Sequence, residues 1–382
     1  MSHPKRHDYQ QLAPGDEDDE HAVEYELADR GNSRPSVNPS YFLPVRPTKI
    51  HLTLRRPLVY SLLALVFAVL AILYTPAKQY STSNDLLFRL SAPDGPFLQW
   101  GYAEWVSLSA GVTPKRCHSH NDYEQSVPLL KALSYGAASV EADVWLVDNE
   151  LLVGHTEKEL SPNDTLAKLY LEPLQDIIRM ANMDRKDDGV TPLHGIFDTA
   201  PKLPLQLLID LKTNGIATFE RLYDYLEPLR SAGYLTTMVA ASPYPVFTPS
   251  VITVIGTGNT PLSSVLALGD DDGRRRDIFL DAPLLGLASG KDSEAANVYT
   301  PSVSPLASAN LQEVVGWSWV TPWVAKKRIR TFVDAAHKKG IQARFWNTPN
   351  FPIWFRNYVW QVLLDEGADW LNVDDLPAAA GF

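Results

Sequence analysis

The stretch CHSHNDYEQSVPLLKALSYGAASVEADVWLVDNELLVGH, residues 117–155, decides the fold and carries most of the chemistry of this chain. It holds three of the nine histidines, at positions 118, 120 and 155, and an acidic pair at Glu141 and Asp143. Imidazoles exchange protons near neutral pH, and carboxylates bind cations. This density of proton-transfer and metal-binding groups predicts a functional site within the stretch.

The acidic pair lies in a strand predicted at Ser139–Trp145. Side chains two residues apart in a strand point to one face, so Glu141 and Asp143 share a face while the valines and alanine between and beside them bury the other. Two adjacent carboxylates repel unless a cation or a shared proton neutralises them. We expect Mg²⁺, or another divalent cation, at this pair. A pair of solvated acids on a sheet edge is the structural alternative.

His118 and His155 flank the acidic pair in sequence. Two histidines on either side of a metal suit general acid and general base, because imidazole can take a proton from one oxygen and give one to another. A single histidine in a strand is usually structural. Three of them within this stretch, beside two carboxylates, favour catalysis.

The order of these motifs resembles a known superfamily of TIM barrels. A first-strand histidine, then Gly-Ala followed by Glu-x-Asp, and then Gly-His are similar to the glycerophosphodiester phosphodiesterase and phospholipase C-like enzymes, which include sphingomyelinase D. Closer still, the strings HSHNDY (118–123), VEADVW (140–145) and LNVDDL (371–376) resemble the fungal altered inheritance of mitochondria protein 6 family. Two motifs depart from the superfamily pattern: the HRG triplet is His-Ser-His at 118–120, and the HD pair is His155-Thr156.

The resemblance implies roles for individual residues. Glu141 and Asp143 correspond to metal ligands, and His118 and His155 to the two catalytic histidines. His120 and Asn121 are expected to orient the substrate or the reacting groups rather than to react.

A strand predicted at Gln206–Leu211 adds a charged pair at its end. The run LQLLIDLKT is apolar until Asp210 and Lys212, which share one face. Burying paired opposite charges is costly without a purpose or a partner. The string IDLKT is similar to a strand of sphingomyelinase D, which implies Asp210 as a third metal ligand and Lys212 as a catalytic clamp on phosphate oxygens. A mutual ion pair is the alternative.

Later strand ends supply further candidates. Trp346 resembles the tryptophan that closes the pocket in the superfamily, and it would hold a glycerol, choline or acyl group by packing or a cation–π contact. A core tryptophan is the alternative. Asp374 or its neighbour Asp375 resembles the closing aspartate of a T-D-x-P signature, and one of them would orient His118 or His120. Residues 256–259, Gly-Thr-Gly-Asn, read better as a turn than as a phosphate loop, since they fit no nucleotide fingerprint.

The pattern of the chain from residue 115 to 382 predicts one (β/α)₈ barrel. Strand-like runs alternate with helix-period segments, which is typical of a parallel sheet with helical crossovers. An extra apolar run at Thr236–Ala241 is expected to form a flanking hairpin. The eight predicted strands are Arg116–His118, Ser139–Trp145, Gln206–Leu211, Ile252–Gly256, Ile278–Asp281, Val314–Ser318, Gln342–Trp346 and Trp370–Val373.

The chain before the barrel has three predicted parts. Residues 1–56 are polar with a dense acidic cluster, and we expect a disordered cytosolic tail. Residues 57–75 contain the uncharged run Leu58–Tyr74, which predicts one transmembrane helix, and the basic residues before it predict a type II orientation with the C-terminal domain lumenal or extracellular. Residues 76–114 are expected to be a stalk and lead-in.

Two further features bear on the compartment and the partners. Cys117 is the single cysteine, so no intrachain disulfide can form, whereas the sequon at Asn163 would accept a glycan in a lumenal domain. The net charge of −11 argues against a nucleic-acid partner.

The sequence thus predicts a membrane-anchored, metal-dependent phosphoric diester hydrolase that acts on a glycerophosphodiester or phospholipid. Hydrolysis and formation of a cyclic phosphate both remain open. A catalytically weak barrel that binds a lipid or a protein partner is the second interpretation. A glycosidase with two carboxylates is the third, but it would not need the histidine pair.

Overall fold

A computed structural model describes residues 111–382, except 187–190, 240–244, 269–274 and 290–296, together with Ser61 and Leu65. Eight parallel strands close into a ring, because β1 pairs with both β2 and β11. The strands are β1 (Lys115–Ser119), β2 (Ala137–Val147), β3 (Glu150–Val153), β4 (Leu205–Leu211), β5 (Thr237–Val239), β6 (Val246–Thr248), β7 (Ile252–Gly258), β8 (Ile278–Pro283), β9 (Leu306–Asn310), β10 (Gln342–Trp346) and β11 (Trp370–Val373). The predicted (β/α)₈ barrel is therefore confirmed.

Three strands lie outside the ring. β2 continues beyond the barrel mouth, where its last residues pair antiparallel with β3. β5 and β6 form a separate antiparallel hairpin, which is the hairpin expected around Thr236–Ala241. The ring order is β1, β2, β4, β7, β8, β9, β10 and β11.

Helices connect the strands and cover the outside of the ring. A short π-helical segment, Ala167–Leu171, leads directly into α2. Short 3₁₀ segments lie at Asp122–Glu124, Glu157–Glu159 and Gly316–Val320. The α-helices are α1 (Leu130–Ser134), α2 (Glu172–Ala181), α3 (Gly215–Tyr225), α4 (Glu227–Ser231), α5 (Leu262–Ala267), α6 (Leu284–Ser289), α7 (Leu311–Val315), α8 (Pro322–His337), α9 (Ile353–Asp365) and α10 (Leu376–Gly381).

Burial on both faces explains why the ring strands read as apolar runs. β4 is buried along Leu205–Ile209, and its charges begin only at Asp210, near the carboxyl end of the strand. A parallel sheet covered by helices excludes water from both faces, so charge is tolerated mainly where strands reach the mouth. This topology delivers the polar ends of separate strands to one opening.

One predicted strand was wrong. Val314–Ser318 is not a strand, since it spans the end of α7 and a 3₁₀ turn in which Trp317 is exposed, and the sixth ring strand is β9, at Leu306–Asn310. Valine and tryptophan have high strand propensity, whereas alanine, serine and asparagine have low propensity. Packing overrides that preference, because Ala307 lies in register with Ala282 and Ala343 in a row of small, buried side chains.

Most of the chain before the barrel lies outside the described residues. The predicted tail at 1–56 falls there entirely, the predicted span at 57–75 falls there except for helical Ser61 and Leu65, and the predicted stalk falls there up to residue 110. Within the part of the chain that the structure describes, no helix is long and apolar enough to cross a bilayer.

Candidate active site

Three carboxylates converge at the mouth of the barrel. β2 and β4 run parallel with Asp143 directly beside Asp210, and Glu141 lies one layer deeper on the same face of β2. One oxygen from each of Glu141, Asp143 and Asp210 lies within 4.8 Å of the others. Oxygens this close form a set that a hard divalent cation can bridge.

Lys212 lies against two of these acids. Its Nζ is 2.9 Å from Asp143 Oδ2 and 3.0 Å from Asp210 Oδ2. Burial acts to lower the pKa of Lys212, but the two carboxylates outweigh it and raise the pKa, so the side chain is charged. The ion pair considered from the sequence is therefore present alongside the three-carboxylate cluster.

The pKa values of the three acids shift in different directions. Burial, reinforced by the charge of Glu141, raises the pKa of Asp143 to about 6, and burial raises the pKa of Asp210. Burial also acts to raise the pKa of Glu141, but the hydrogen bond from His118 overcomes it and holds that pKa well below its usual range. One oxygen of Asp143, Oδ1, is buried and has no hydrogen-bond partner among the described residues. An orphaned carboxylate oxygen in a crowded acidic cluster is a natural position for a cation ligand.

His118 is fully buried beneath this cluster, with both ring nitrogens engaged. Its Nε2 lies 3.2 Å from Glu141 Oε2, and its Nδ1 lies 2.7 Å from Ser139 Oγ. Burial, together with the charge of Arg344, lowers the pKa of His118 to about 4, so the ring is neutral at pH 7. Because an ionised carboxylate only accepts hydrogen bonds, Nε2 carries the hydrogen and Ser139 donates to Nδ1.

His120 lies one layer nearer the mouth and is partly exposed. Its Nδ1 lies 2.8 Å from Asp374 Oδ1, and the amide of Asn350 donates to the other oxygen of that carboxylate. Burial acts to lower the pKa of His120, but the bond to Asp374 and the charge of Glu141 raise it above its usual value. Asp374 fixes the hydrogen on Nδ1, and no residue that the structure describes bonds to Nε2.

The neighbouring Asp375 points elsewhere. Its carboxylate pairs with Arg356 Nη1 at 2.6 Å and caps the start of α10 by accepting from the backbone N–H of Ala378. Of the two adjacent acids, Asp374 is thus the one at the mouth.

His155, which follows β3 in the chain, lies next to Asp143. Its Nδ1 is 3.1 Å from the hydroxyl of Tyr123 and 3.7 Å from Asp143 Oδ2. Tyr123 donates to Asp143 Oδ2 at 2.7 Å, so its single proton is committed and the hydrogen on His155 Nδ1 points at the tyrosine oxygen. Tyr123 thereby holds the acid and the imidazole in one arrangement.

Comparison with known proteins identifies the family. Residues 106–281 match the model of an AIM6-like phosphodiesterase domain. A homologue of altered inheritance of mitochondria protein 6 from Arthroderma benhamiae is 38% identical over 72% of this chain and 86% of its own length. The proteins of that name from Eremothecium gossypii and Saccharomyces cerevisiae are 38% and 34% identical over 70% and 71% of this chain, and over 69% and 71% of their own lengths. The chain belongs to the altered inheritance of mitochondria protein 6 family.

A solved structure is also similar to this member of the altered inheritance of mitochondria protein 6 family. It is a glycerophosphodiester phosphodiesterase from Parabacteroides distasonis, which is 14% identical and covers 71% of this chain and 97% of its own, with a TM-score of 0.35. The resemblance to the altered inheritance of mitochondria protein 6 family, inferred from the sequence motifs, is confirmed by the domain match and the homologues above.

Two more predicted site residues, Asn121 and Trp346, also lie at the mouth of the barrel. Asn121 has a left-handed backbone, with φ of 45°, and its backbone N–H donates to Glu141 Oε2 at 3.2 Å. Trp346, the last residue of β10, is 38% exposed and is therefore not a core side chain.

Sequence reasoning missed Tyr123, and it placed Arg344 at a strand end without giving it a role. Tyr123 lies within the HSHNDY string of the altered inheritance of mitochondria protein 6 family, and that position was the available signal. Arg344 is a buried charge on β10, the strand that ends in Trp346; its Nε donates to Ser308 Oγ at 3.1 Å, and its charge acts on His118, Glu141 and Asp210. An arginine in an otherwise apolar strand run was its signal.

Proposed function

We propose that this protein is a metal-dependent phosphoric diester hydrolase that acts on a glycerophosphodiester or phospholipid. The observation that carries the proposal is the convergence of three carboxylates with two imidazoles, His120 and His155, whose Nδ1 atoms are held by hydrogen bonds and whose Nε2 atoms have no partner among the described residues. A pure binding module has no need of a paired acid and base.

The residues fit a divalent cation, which we propose to be Mg²⁺. Glu141, Asp143 and Asp210 would hold it, and the orphaned Oδ1 of Asp143 supplies an acceptor that is already desolvated. When bound, the cation supplies Lewis-acid stabilisation of charge on the non-bridging phosphate oxygens. Lys212 adds a second positive charge on the same side of the mouth.

Proton transfer is the work of the imidazoles. We assign it to His120 and His155, and so exchange the roles expected of His118 and His120 from the sequence. His118 is fully buried and both its nitrogens are occupied, so it holds Glu141 rather than reaching substrate. One of His120 and His155 takes the proton of the attacking hydroxyl or water, and the other protonates the leaving oxygen. Asp374 keeps His120 oriented and stabilises its charged form.

The carboxylate spacing bears on the glycosidase alternative. Glycosidases place their two carboxyl groups about 5–9.5 Å apart across a sugar. Here a third acid joins the pair, and one oxygen from each of the three lies within 4.8 Å of the others, which suits joint cation binding.

A silent barrel that binds a lipid or a protein partner is the second candidate, and one observation favours it. The ammonium of Lys212 already lies within 3.0 Å of two of the three acids and neutralises part of their charge without a metal ion. Calorimetry distinguishes the two candidates. If the cluster is a metal site, Mg²⁺, Mn²⁺ or Ca²⁺ binds the wild type and not Asp143→Asn. If the acids only pair with Lys212, no divalent cation binds either protein.

Attachment to a membrane also belongs to the proposal. The apolar run at 57–75 would anchor the chain once, with the barrel lumenal or extracellular and the substrate drawn from a phosphodiester or phospholipid pool.

The direct test is product release from a panel of diesters by the full-length protein, with and without divalent cations. We expect release of a phosphomonoester, a cyclic phosphate or an alcohol headgroup from at least one diester in the presence of Mg²⁺. Chelation should abolish it, and so should Asp143→Asn, while Asp334→Asn on the exposed face of α8 should not. Activity that survives both chelation and Asp143→Asn would rule the proposal out.

A further inference from the structure

Exposed aromatic side chains crowd one edge of the barrel mouth. Their exposed fractions are 87% for Trp317, 69% for Trp323, 64% for Trp354, 53% for Phe351 and 38% for Trp346. We call these five residues the aromatic rim. Trp346 ends β10, and the other four lie in the connections that follow β9 and β10. Since β9 and β10 are neighbours in the ring, these connections meet at the same sector of the mouth. Large apolar side chains concentrated in this way mark an interaction site.

The rim stands on a packed aromatic base. Trp319 meets the ring of Phe355 edge-on at 5.6 Å and that of Tyr358 at 6.1 Å, which joins the two connections. Trp354 packs against the same Phe355 at 5.7 Å. Trp319 and Phe355 also line a cavity of about 350 Å³ between the connections. Trp354 is therefore fixed by Phe355, and Trp319 joins the two connections beneath the rim.

Positive charge borders the rim in an otherwise acidic protein. The chain carries a net charge of −11, yet the sequence from 311 to 328 has a single acid, Glu313, against Lys326, Lys327 and Arg328, and the sequence from 346 to 355 has no acid. No ion pair involves these three basic residues in the described part of the chain, whereas the next basic residue, Arg330, pairs with Glu366. Arg328 Nη1 donates to the backbone oxygen of Val315 at 3.1 Å, which leaves its charge without an acidic partner among the described residues, and Lys327 is exposed, so this local charge can meet an anionic partner.

We propose that the aromatic rim docks on an anionic phospholipid bilayer, with Lys326, Lys327 and Arg328 against the headgroups. Tryptophan favours the headgroup region of a bilayer, because its ring is apolar and its N–H remains near water. Each lysine or arginine near an anionic surface strengthens the association about fivefold. Docking by the rim requires anionic lipid in the leaflet that faces the barrel, and it is separate from anchoring by 57–75 and from catalysis. Its consequence is that the mouth faces the lipids.

Site-directed labelling of the full-length protein tests the docking. Cys117 is the single cysteine, it is buried, and burial raises the pKa of its thiol to about 11, so it should not react with a maleimide dye. Trp317→Cys places an environment-sensitive dye on the rim, and Met183→Cys places one on a residue that is 69% exposed just after α2 ends, toward the opposite end of the barrel. Each protein is reconstituted into vesicles of phosphatidylcholine alone or mixed with phosphatidylserine.

We expect the dye at position 317 to shift to the blue in the mixed vesicles, the shift to weaken with added salt, and the dye at position 183 to stay unchanged. Lys327→Glu in the Trp317→Cys background should lower the ratio of docked to free rim about thirtyfold, since reversing one charge removes about 2 kcal/mol. Lys338→Glu, which reverses an exposed lysine at the other end of α8, should leave it unchanged. An absent shift at 317, equal shifts at both positions, or a dye at 317 already shielded without vesicles would each overturn the proposal.

Discussion

His118 and His120 are two residues apart in sequence but differ in almost every physical respect. His118 is neutral, fully buried and bonded at both nitrogens, while His120 is partly exposed and paired with Asp374. Alternation along β1 puts both side chains inside the barrel, so the difference comes from depth. The deeper ring is part of a chain of hydrogen bonds that also includes Gln206, which donates to Ser139 Oγ.

This contrast predicts opposite effects of two substitutions. His118→Ala should lower the free energy of unfolding by about 3 kcal/mol, because it leaves a cavity and removes the partner of Glu141. His120→Ala should leave the melting temperature nearly unchanged and lower diester turnover by about 10²–10⁴-fold. Thermal unfolding and the panel assay measure both effects.

His337→Ala is the matched control, since this imidazole also bonds to a carboxylate, at 2.7 Å from Asp369, but lies at the end of α8 away from the mouth. It should change neither turnover nor stability much. Full turnover in His120→Ala would show that another residue transfers the proton.

Asp122 gives a prediction for pH dependence. It is fully buried and accepts hydrogen bonds from Ser119, Tyr170 and the backbone N–H of Leu129, and burial nevertheless raises its pKa from 3.8 to about 6. The folded state therefore binds the proton more tightly than the unfolded state. The stabilisation is complete below about pH 4 and is lost as the pH rises through about 6, and it amounts to about 3 kcal/mol.

Asp122→Asn removes this titration and keeps the shape, because the amide oxygen can accept from Leu129 while the amide nitrogen donates to Ser119. The difference in free energy of unfolding, wild type minus Asp122→Asn, should fall between about pH 4 and pH 6. Denaturant titrations at several pH values measure it. The opposite shift of His118 is present in both proteins and cancels. A difference that is flat or rises with pH would contradict the assignment.

At the scale of elements, the strand ends were predictable and one strand was not. Seven ring strands and the carboxylate cluster follow from apolar runs that end in charge, as at Asp210, because a ring buried on both faces has few other places for charge. β9 lacks that signal, since its alanines are set by register with neighbouring strands. The roles of His118 and His120 could not be separated either, because depth within a barrel depends on the stagger of β1 against β2.

The packing of β7 against β4 yields another prediction. Gly258 has φ of +62°, and a Cβ on it would lie 1.9 Å from Asp210 Oδ1. Gly258→Ala should therefore displace the Asp210 carboxylate and lower both cation affinity and turnover, in addition to a backbone cost of about 1–2 kcal/mol. Calorimetry with Mg²⁺ and the panel assay measure the loss.

Gly233→Ala provides the control, because Gly233 has φ of +73° and open space around a Cβ. It should cost similar stability and leave cation affinity unchanged. If both variants bind the cation equally well, the Asp210 carboxylate does not hold the cation.

At the scale of the whole molecule, the site and the aromatic rim lie at the same end of the barrel. The carboxylates, both imidazoles and the exposed tryptophans all lie at the carboxyl ends of the ring strands, so a bilayer that meets the rim also faces the mouth. An acidic chain would be repelled by anionic lipid over most of its surface, which leaves the basic residues beside the rim to set the orientation.

The side of the membrane on which the barrel lies is testable through Asn163. The side chain is exposed on the connection between β3 and α2, and the sequon Asn-Asp-Thr at 163–165 is intact. If the barrel is lumenal, the full-length protein should show a mobility shift that an endoglycosidase removes and that Asn163→Gln abolishes. A sequon in the tail, made by Gln10→Asn with Leu12→Thr in the Asn163→Gln background, should stay unmodified. A glycan on the tail of that variant, together with none at Asn163 in the wild type, would place the tail in the lumen and reverse the orientation. The basic residues before the span would then lie on the lumenal side, against the charge bias that predicts type II.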